Sequence, residues 1–273
     1  MPHLTTLVDS LLAQNYPNLE IVLSEGGGTD GSWDYLNSLS DPRVRIIRQP
    51  PGTSAAANWT AATLAARGAY TKLICQDDLL YPRAIREQVE DLERHPEAVM
   101  AIAARDIIDA HGEILYSRRG LAGLRGSALS GDEVVRTCYL HGTNVIGEPL
   151  AVLFRTPDLV AAMPWDDTNP LMLDLSTYAK VAPAGEVVIR RQSVGAFRVS
   201  AASWSTRIAS RQLAQTRAWQ QEYTRSSPRP LSRADRARAV VGRHVQITLR
   251  RAAYTSLRLR GAMGGAPPPT MQR

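Results

Sequence analysis

Short apolar runs alternate with helix-length segments through the first hundred residues, and one run, residues 70–75, leads straight into the acidic pair Asp77-Asp78. Strands separated by helices predict βαβ units, hence an α/β fold whose mainly parallel sheet is flanked by helices. Leu4, Leu7, Val8, Leu11 and Leu12 recur at helical spacing until Tyr16-Pro17-Asn18 breaks the pattern. Strands are expected at 19–23, 44–47, 70–75, 99–103 and 150–154, with short ones at 187–189 and 194–198. Helices are expected at 33–39, 55–66, 82–94, 132–139 and 170–182, and a hairpin over 107–116 turning at His111-Gly112. Residues 117–131, rich in glycine and serine, read as a mobile loop.

After Trp204 only helical patterning remains, in two segments (205–225 and 231–260) separated by Pro228 and Pro230. The chain therefore divides into an α/β unit at 1–206, a helical appendage at 207–260 and a Gly/Pro-rich, disordered end at 261–273. Charge divides the same way. Residues 201–273 hold fourteen arginines against Glu222 and Asp235, so residues 1–200 are net acidic within a chain of +6. Val241, Val245, Leu249, Ala252 and Leu259 fall on one side of the last helix, Arg236, Arg243 and Arg250 on the other. Two readings fit: the apolar stripe packs on the α/β unit with the arginines in water, or it docks on a membrane surface with anionic headgroups.

Several classes are excluded. No apolar run is long enough to span a bilayer. Cys75 and Cys138 are too few for a disulfide scaffold. The five histidines show no metal-ligand spacing, the glycine loop Glu25-Gly26-Gly27-Gly28 lacks the dinucleotide or P-loop pattern, and no nucleic-acid motif accompanies the arginines. A cytoplasmic protein, peripheral at the inner face of the plasma membrane if the stripe docks there, is expected.

An open sheet binds ligands at the carboxyl ends of its strands, where the 25–32 loop, the 50–54 loop and Asp77-Asp78 all fall. Adjacent carboxylates after an apolar strand repel one another, and a hard divalent cation carrying phosphate oxygens would offset that cost. Alternatively, one of the two caps the helix opening near Pro82. Glu148 fits either a substrate contact or a turn-fixing hydrogen bond. Arg198 fits either a phosphate clamp or an ion pair with the acidic unit.

The stretches Val8-Asp9-Ser10-Leu11-Leu12-Ala13-Gln14-Asn15-Tyr16-Pro17-Asn18, Thr29-Asp30-Gly31-Ser32, Gly68-Ala69-Tyr70 through Asp77-Asp78, Gly147-Glu148-Pro149 and Phe197-Arg198-Val199, in this order, resemble the family-2 glycosyltransferases of the GT-A fold. The resemblance runs over residues 4–206. It implies an inverting transfer of a sugar from a nucleotide-diphosphate donor to a hydroxyl of a glycan or lipid-linked acceptor, in cell-envelope or exopolysaccharide synthesis, with Mg2+ or Mn2+. Asp77 and Asp78 would hold the metal; Glu25, Asp30, Asn58, Asp77, Glu148 and Arg198 would bind the donor. Asp174 would be the general base, against a plainer reading as an acid at a helix N-terminus; Asp166 and Asp167 are the nearest substitutes.

Departures stand out: Cys75 replaces an aspartate, Gly26 and Met172 replace acids, and Ser200 replaces a metal-proximal histidine. The family's first strand, preceding the helix at Leu4, has no counterpart, which leads to the expectation that the natural start lies upstream of Met1. The substitutions also leave open a catalytically degenerate binding or scaffold protein on the same fold.

Overall fold

The structure is a computed structural model that describes residues 3–200, 211–259 and 261–262. Helix α1 (Leu4–Leu12) buries Leu4, Leu7 and Val8, the face expected from their spacing. Strands β1 (Ile21–Glu25) and β2 (Val44–Arg48) pair in parallel, with α2 (Ser32–Asn37) between them. Helix α3 (Ala55–Ala65) starts at Ser54, whose side chain accepts from the Ala57 amide. Of the run 70–75 only β3 (Tyr70–Thr71) is strand; β4 (Leu79–Leu80) follows the acidic pair and α4 (Ala84–Arg94) comes next.

The main sheet is built on β5 (Ala98–Ile108) and β9 (Glu186–Arg198), its two longest strands. The order is β3-β8-β5-β9-β4, where β8 is Val152–Arg155; β6 (Ile114–Arg119) pairs with β5 and β7 (Ala128–Ser130) with β9. Helices cover it, as expected, but the strand directions differ from a mainly parallel sheet. Only β5–β9 and the separate β1–β2 pair run parallel; the other pairings are antiparallel. Of the antiparallel pairs only β5–β6 is a hairpin; the others join strands from distant parts of the chain, a direction that no local pattern encodes. The two short strands expected at 187–189 and 194–198 are one strand, because Arg190 continues the ladder while its guanidinium reaches Asp91 at 2.7 Å. The sheet is also split: β1–β2 stands apart from the seven-stranded sheet.

Period-two alternation on β5 sorts the core. Met100, Ile102 and Ala104 join the larger cluster with α5 (Gly131–His141) and α7 (Leu173–Val181). Ala101 and Ala103 face the other way, where their small side chains admit Ile85, Val89 and Leu92 of α4. The 117–131 segment is anchored rather than loose. Leu121 and Leu124 are 4% and 2% exposed, and the Leu121 amide donates to Val145 O at 2.7 Å.

The short helix α6 (Thr156–Ala161) precedes α7, and two longer helices, α8 (Gln212–Ser226) and α9 (Arg233–Leu259), close the described chain. They dock on α5. Trp219 and Tyr223 join the larger core cluster, Gln220 Nε2 donates to Tyr139 O and Ala239 O, and Arg136 pairs with Asp235 at 2.7 Å. A Cβ on Gly242 would lie 2.5 Å from Leu140 O, so only glycine lets α9 approach that closely. Gly242→Val should therefore lower the midpoint of thermal unfolding by roughly 3–10 °C, since overpacking costs about 1–3 kcal/mol. An unchanged melt would mean that α9 is not docked there.

The packing reading of the apolar stripe is overturned. Val241, Val245 and Leu249 are 61%, 48% and 59% exposed, and the body is met instead by Ala239, Ile247 and Leu257. The reason is rotational: the side of α9 opposite the stripe, carrying Ala239, Arg243 and Ile247, is the one that meets α5, where a Cβ on Gly142 would lie 2.4 Å from Arg243 N. Of the 261–273 tail, Gly261 and Ala262 form a turn whose Ala262 O accepts from Ala110 N at 3.1 Å; 263–273 lie outside the described residues, as do Ser203, Trp204 and Ser205.

Candidate functional site

The acidic pair sits in a tight turn between residue 75 and β4, closed by the Asp78 amide donating to Cys75 O at 3.2 Å. Asp78 is 1% exposed; its Oδ1 accepts from the Arg198 main-chain N–H at 3.1 Å, while its buried Oδ2 has no hydrogen-bond partner. Burial, reinforced by the neighbouring Asp77 charge, pushes its pKa well above the carboxylate range. The Arg198 side chain, 3% exposed, turns to main-chain carbonyls. Nε donates to Asp77 O at 3.0 Å, and Nη1 donates to Asp109 O at 3.0 Å and Ala110 O at 3.4 Å. His3, at the start of α1, has its pKa lowered by burial and then by Arg198, with Asp77 opposing.

Asp174 lies in the first turn of α7, two residues after the buried Met172. Its Oδ1 accepts from Leu175 N at 2.7 Å and its Oδ2 from Asn144 Nδ2 at 2.9 Å. Asn144 also folds its own turn: Oδ1 accepts from Ile146 N and Gly147 N, both at 3.0 Å, and Nδ2 donates to Gly147 O at 2.8 Å. The next residue, Glu148, accepts from Arg105 Nε at 2.5 Å. One asparagine thus ties the base candidate on α7 to the loop that presents Glu148.

Burial drives the Asp174 pKa up to about 7, the hydrogen bond from Leu175 opposing and the Glu148 charge adding to the rise. Glu148 goes the other way: burial resists ionisation, but the Arg105 guanidinium more than offsets it and its pKa is lowered. The Cys75 thiol is pushed well up, first by burial and then by Asp78, Asp77, Asp174 and Glu148. Four carboxylates from three parts of the chain therefore act on one thiol, which stays neutral. The Tyr178 hydroxyl, buried without a hydrogen-bond partner, feels Asp174 and Glu148 as well.

Glu25 ends β1, Asp30 lies in the loop that follows it, and Asn58 reaches the same strand from α3. Glu25, 6% exposed, accepts from Gly28 N at 2.6 Å and pairs with Arg48 at 3.2 Å. Asp30 accepts from the Ser32 hydroxyl at 2.6 Å and Ser32 N at 3.1 Å, a bond set that brings its pKa down to about 2. Asn58 Oδ1 accepts from Ser24 Oγ at 2.5 Å. Gly27, at φ 78°, brings this loop against the 50–52 turn, where a Cβ would meet Pro51 N at 2.6 Å. Asp166, the substitute base candidate, is held by Lys180 at 2.8 Å.

Among the described residues no group of three or more His, Cys, Asp or Glu forms a cation cage. The donor set suits a hard divalent cation held by one or two carboxylates together with ligand phosphates, and the orphaned Asp78 Oδ2 is the buried atom such a charge would satisfy. Asn144, Arg105 and Tyr178 are missing from the expectations drawn from sequence. Only Asn144 carried a signal, an asparagine two and three residues before the amides it caps.

The family model described as glycosyl transferase family 2 matches residues 2–144. A relative, the UDP-Glc:alpha-D-GlcNAc-diphosphoundecaprenol beta-1,3-glucosyltransferase WfaP of Escherichia coli, is 31% identical over 86 residues, 32% of this chain and 34% of that protein. This chain spans less than half the length of such curated relatives. Among solved structures, S. aureus TarS 1-349 superposes with TM-score 0.62 at 12% identity, over 89% of this chain and 68% of that one. The mannosyltransferase PcManGT of Pyrobaculum calidifontis, in complex with GDP-Man and Mn2+, gives TM-score 0.60 at 14% identity, over 97% of this chain and 72% of that one. At such identities the likeness is one of fold.

Proposed function

The chain belongs to glycosyl transferase family 2, and from that we propose that it moves a sugar, with inversion, from a nucleoside-diphosphate donor to a hydroxyl of a glycan or lipid-linked acceptor in cell-envelope or polysaccharide synthesis. The observation that carries the reading is Asp174, a carboxyl raised to about 7 by burial and tied through Asn144 to the loop that presents Glu148. A base with that pKa accepts a proton near neutrality and is not wastefully weak. The acceptor oxygen attacks the anomeric carbon, its proton passes to Asp174, and the bond to the diphosphate breaks with its electron pair leaving on the phosphate.

Asp77 and Asp78 would hold a Mg2+ or Mn2+ ion, with Asp77 nearer the ligand because Asp78 is anchored inward on the Arg198 amide. When bound, such a cation supplies positive charge against the departing diphosphate. Glu25, Asp30 and Asn58 line the nucleoside end. Glu148, held ionised by Arg105, orients a sugar or acceptor hydroxyl as a hydrogen-bond acceptor. Arg198 acts as a strut under the Asp77-Asp78 turn, in place of the phosphate clamp read from sequence. A lipid-diphosphate acceptor and a UDP-sugar donor, both named for the Escherichia coli relative, lead the candidates. The unit would comprise residues 1–206 with the helices of 207–260 as a docked appendage.

The test is a panel of UDP-, GDP- and dTDP-sugars read by thermal shift and calorimetry. One donor should raise the melting midpoint by several degrees with Mn2+ present, as saturating ligand at about 100 Kd adds roughly 2.7 kcal/mol. Chelation with EDTA and the Asp77→Asn variant should each abolish the shift. No binding by any nucleotide sugar would overturn the reading and favour a catalytically degenerate scaffold.

A further inference from the structure

Helix α9 meets the body through one face and presents the opposite one to solvent. Val241, Val245 and Leu249 lie at i, i+4 and i+8 with exposures of 61%, 48% and 59%, and Leu259, on the same side, is 85% exposed. The alanines Ala234, Ala237 and Ala252 are exposed too, so small apolar side chains extend the strip along the helix. Water-facing helix surfaces normally carry charge, with single apolar residues scattered among it. Here the aliphatics are contiguous, and the exposed Arg238, Arg233 and Arg251 sit on and beside them.

Carboxylates do not balance those arginines. The one acid on α9, Asp235, is already paired with Arg136 and bonded to Ser232. A positively charged border around a shallow aliphatic strip is the pattern of a helix lying in a membrane interface, apolar face toward the acyl boundary and arginines at the headgroups. A second copy of this chain fits less well, because joining two such strips brings Arg238 and Arg251 of each copy together with no acid between them. No described helix is long and apolar enough to cross a membrane, so the contact is one of surface docking.

We propose that the exposed face of α9, centred on Val241, Val245 and Leu249 and bordered by Arg233, Arg238 and Arg251, docks the protein on an anionic lipid bilayer. The proposal stands on this face alone and does not rest on the transfer reaction. The test is flotation of the full chain with vesicles of phosphatidylcholine, with and without about 30% phosphatidylglycerol. Binding is expected to the anionic vesicles only, falling as salt is raised. The triple variant Val241→Ser, Val245→Ser, Leu249→Ser should lose at least about tenfold in vesicle affinity at an unchanged melting midpoint, because all three side chains are exposed. Arg238→Gln with Arg251→Gln should weaken anionic binding by a similar factor with the apolar strip intact. Absence of binding to anionic vesicles overturns the proposal. So does equal binding by the triple variant, or a dimer in light scattering that the triple variant abolishes.

Discussion

Asp174→Asn is expected to lower kcat by about 10³-fold, within the range general-base groups supply, while changing donor affinity by less than about twofold. It should also make the protein harder to unfold at pH 8. Both effects follow from burial, which raises the carboxyl to about 7. In the wild type, kcat/KM should fall about tenfold per unit as pH drops below about 7, because protonation removes the base. The folded-state pKa lies above the unfolded one, so between the two the native state binds more protons. This group therefore costs stability as pH rises, with the full cost present above about 7. Asparagine removes the charge and its Oδ1 still accepts from Leu175 N, but its Nδ2 cannot accept from Asn144 Nδ2, and that lost hydrogen bond offsets part of the gain. The gain should be on the order of 2 kcal/mol at pH 8 and vanish toward pH 4. Unchanged kcat in the variant would remove Asp174 from the chemistry. A lost kcat with no stability gain would mean the carboxylate is not held in a low-dielectric site.

The residues that announced themselves in the sequence were those whose partners lie within a few positions. The α1 face, the helices expected at 55–66 and 82–94 and the hairpin near His111 are local patterns, and the structure keeps them. Strand direction was not local. An apolar run such as 150–154 reads identically whether its neighbour runs with it or against it, and β8 runs against both β3 and β5. Continuity was hidden as well, since Arg190 and Arg191 look like a loop until Asp91 and Glu87 on α4 are seen to receive Arg190.

Burial made the same difference at the site. Asp77 and Asp78 are adjacent and chemically equal in sequence, but the tight turn that carries them buries Asp78 and leaves Asp77 half-buried. One ends 1% exposed on the Arg198 amide, so the two carboxylates have unlike roles. Asn144 could be read as a turn residue, but nothing short of the packed helix α7 shows that its amide also reaches Asp174, thirty residues away. The amphipathic pattern of α9 was legible in sequence; which side faced the body was not, because that depended on a glycine contact with α5.

Arg198→Lys should lower stability by about 2–5 kcal/mol, which for a chain of this size moves the melting midpoint by roughly 5–15 °C. The wild-type guanidinium spans carbonyls of two separate loops, Asp77 O on one side and Asp109 O with Ala110 O on the other. Lysine carries one compact donor and cannot bridge both sets. Carbonyls left unpaired in this buried place cost about 1–3 kcal/mol each. The turn presenting Asp77 should then loosen, so cation-dependent donor binding weakens together with stability. A phosphate clamp would behave differently. It would raise the KM for donor by tenfold or more at an unchanged melting midpoint, because its guanidinium would be satisfied chiefly by ligand. Thermal unfolding without ligand, set beside donor titration, separates the two. An undiminished midpoint with weakened donor binding would return Arg198 to the phosphate, and would leave the Asp77-Asp78 turn held by its own backbone bonds.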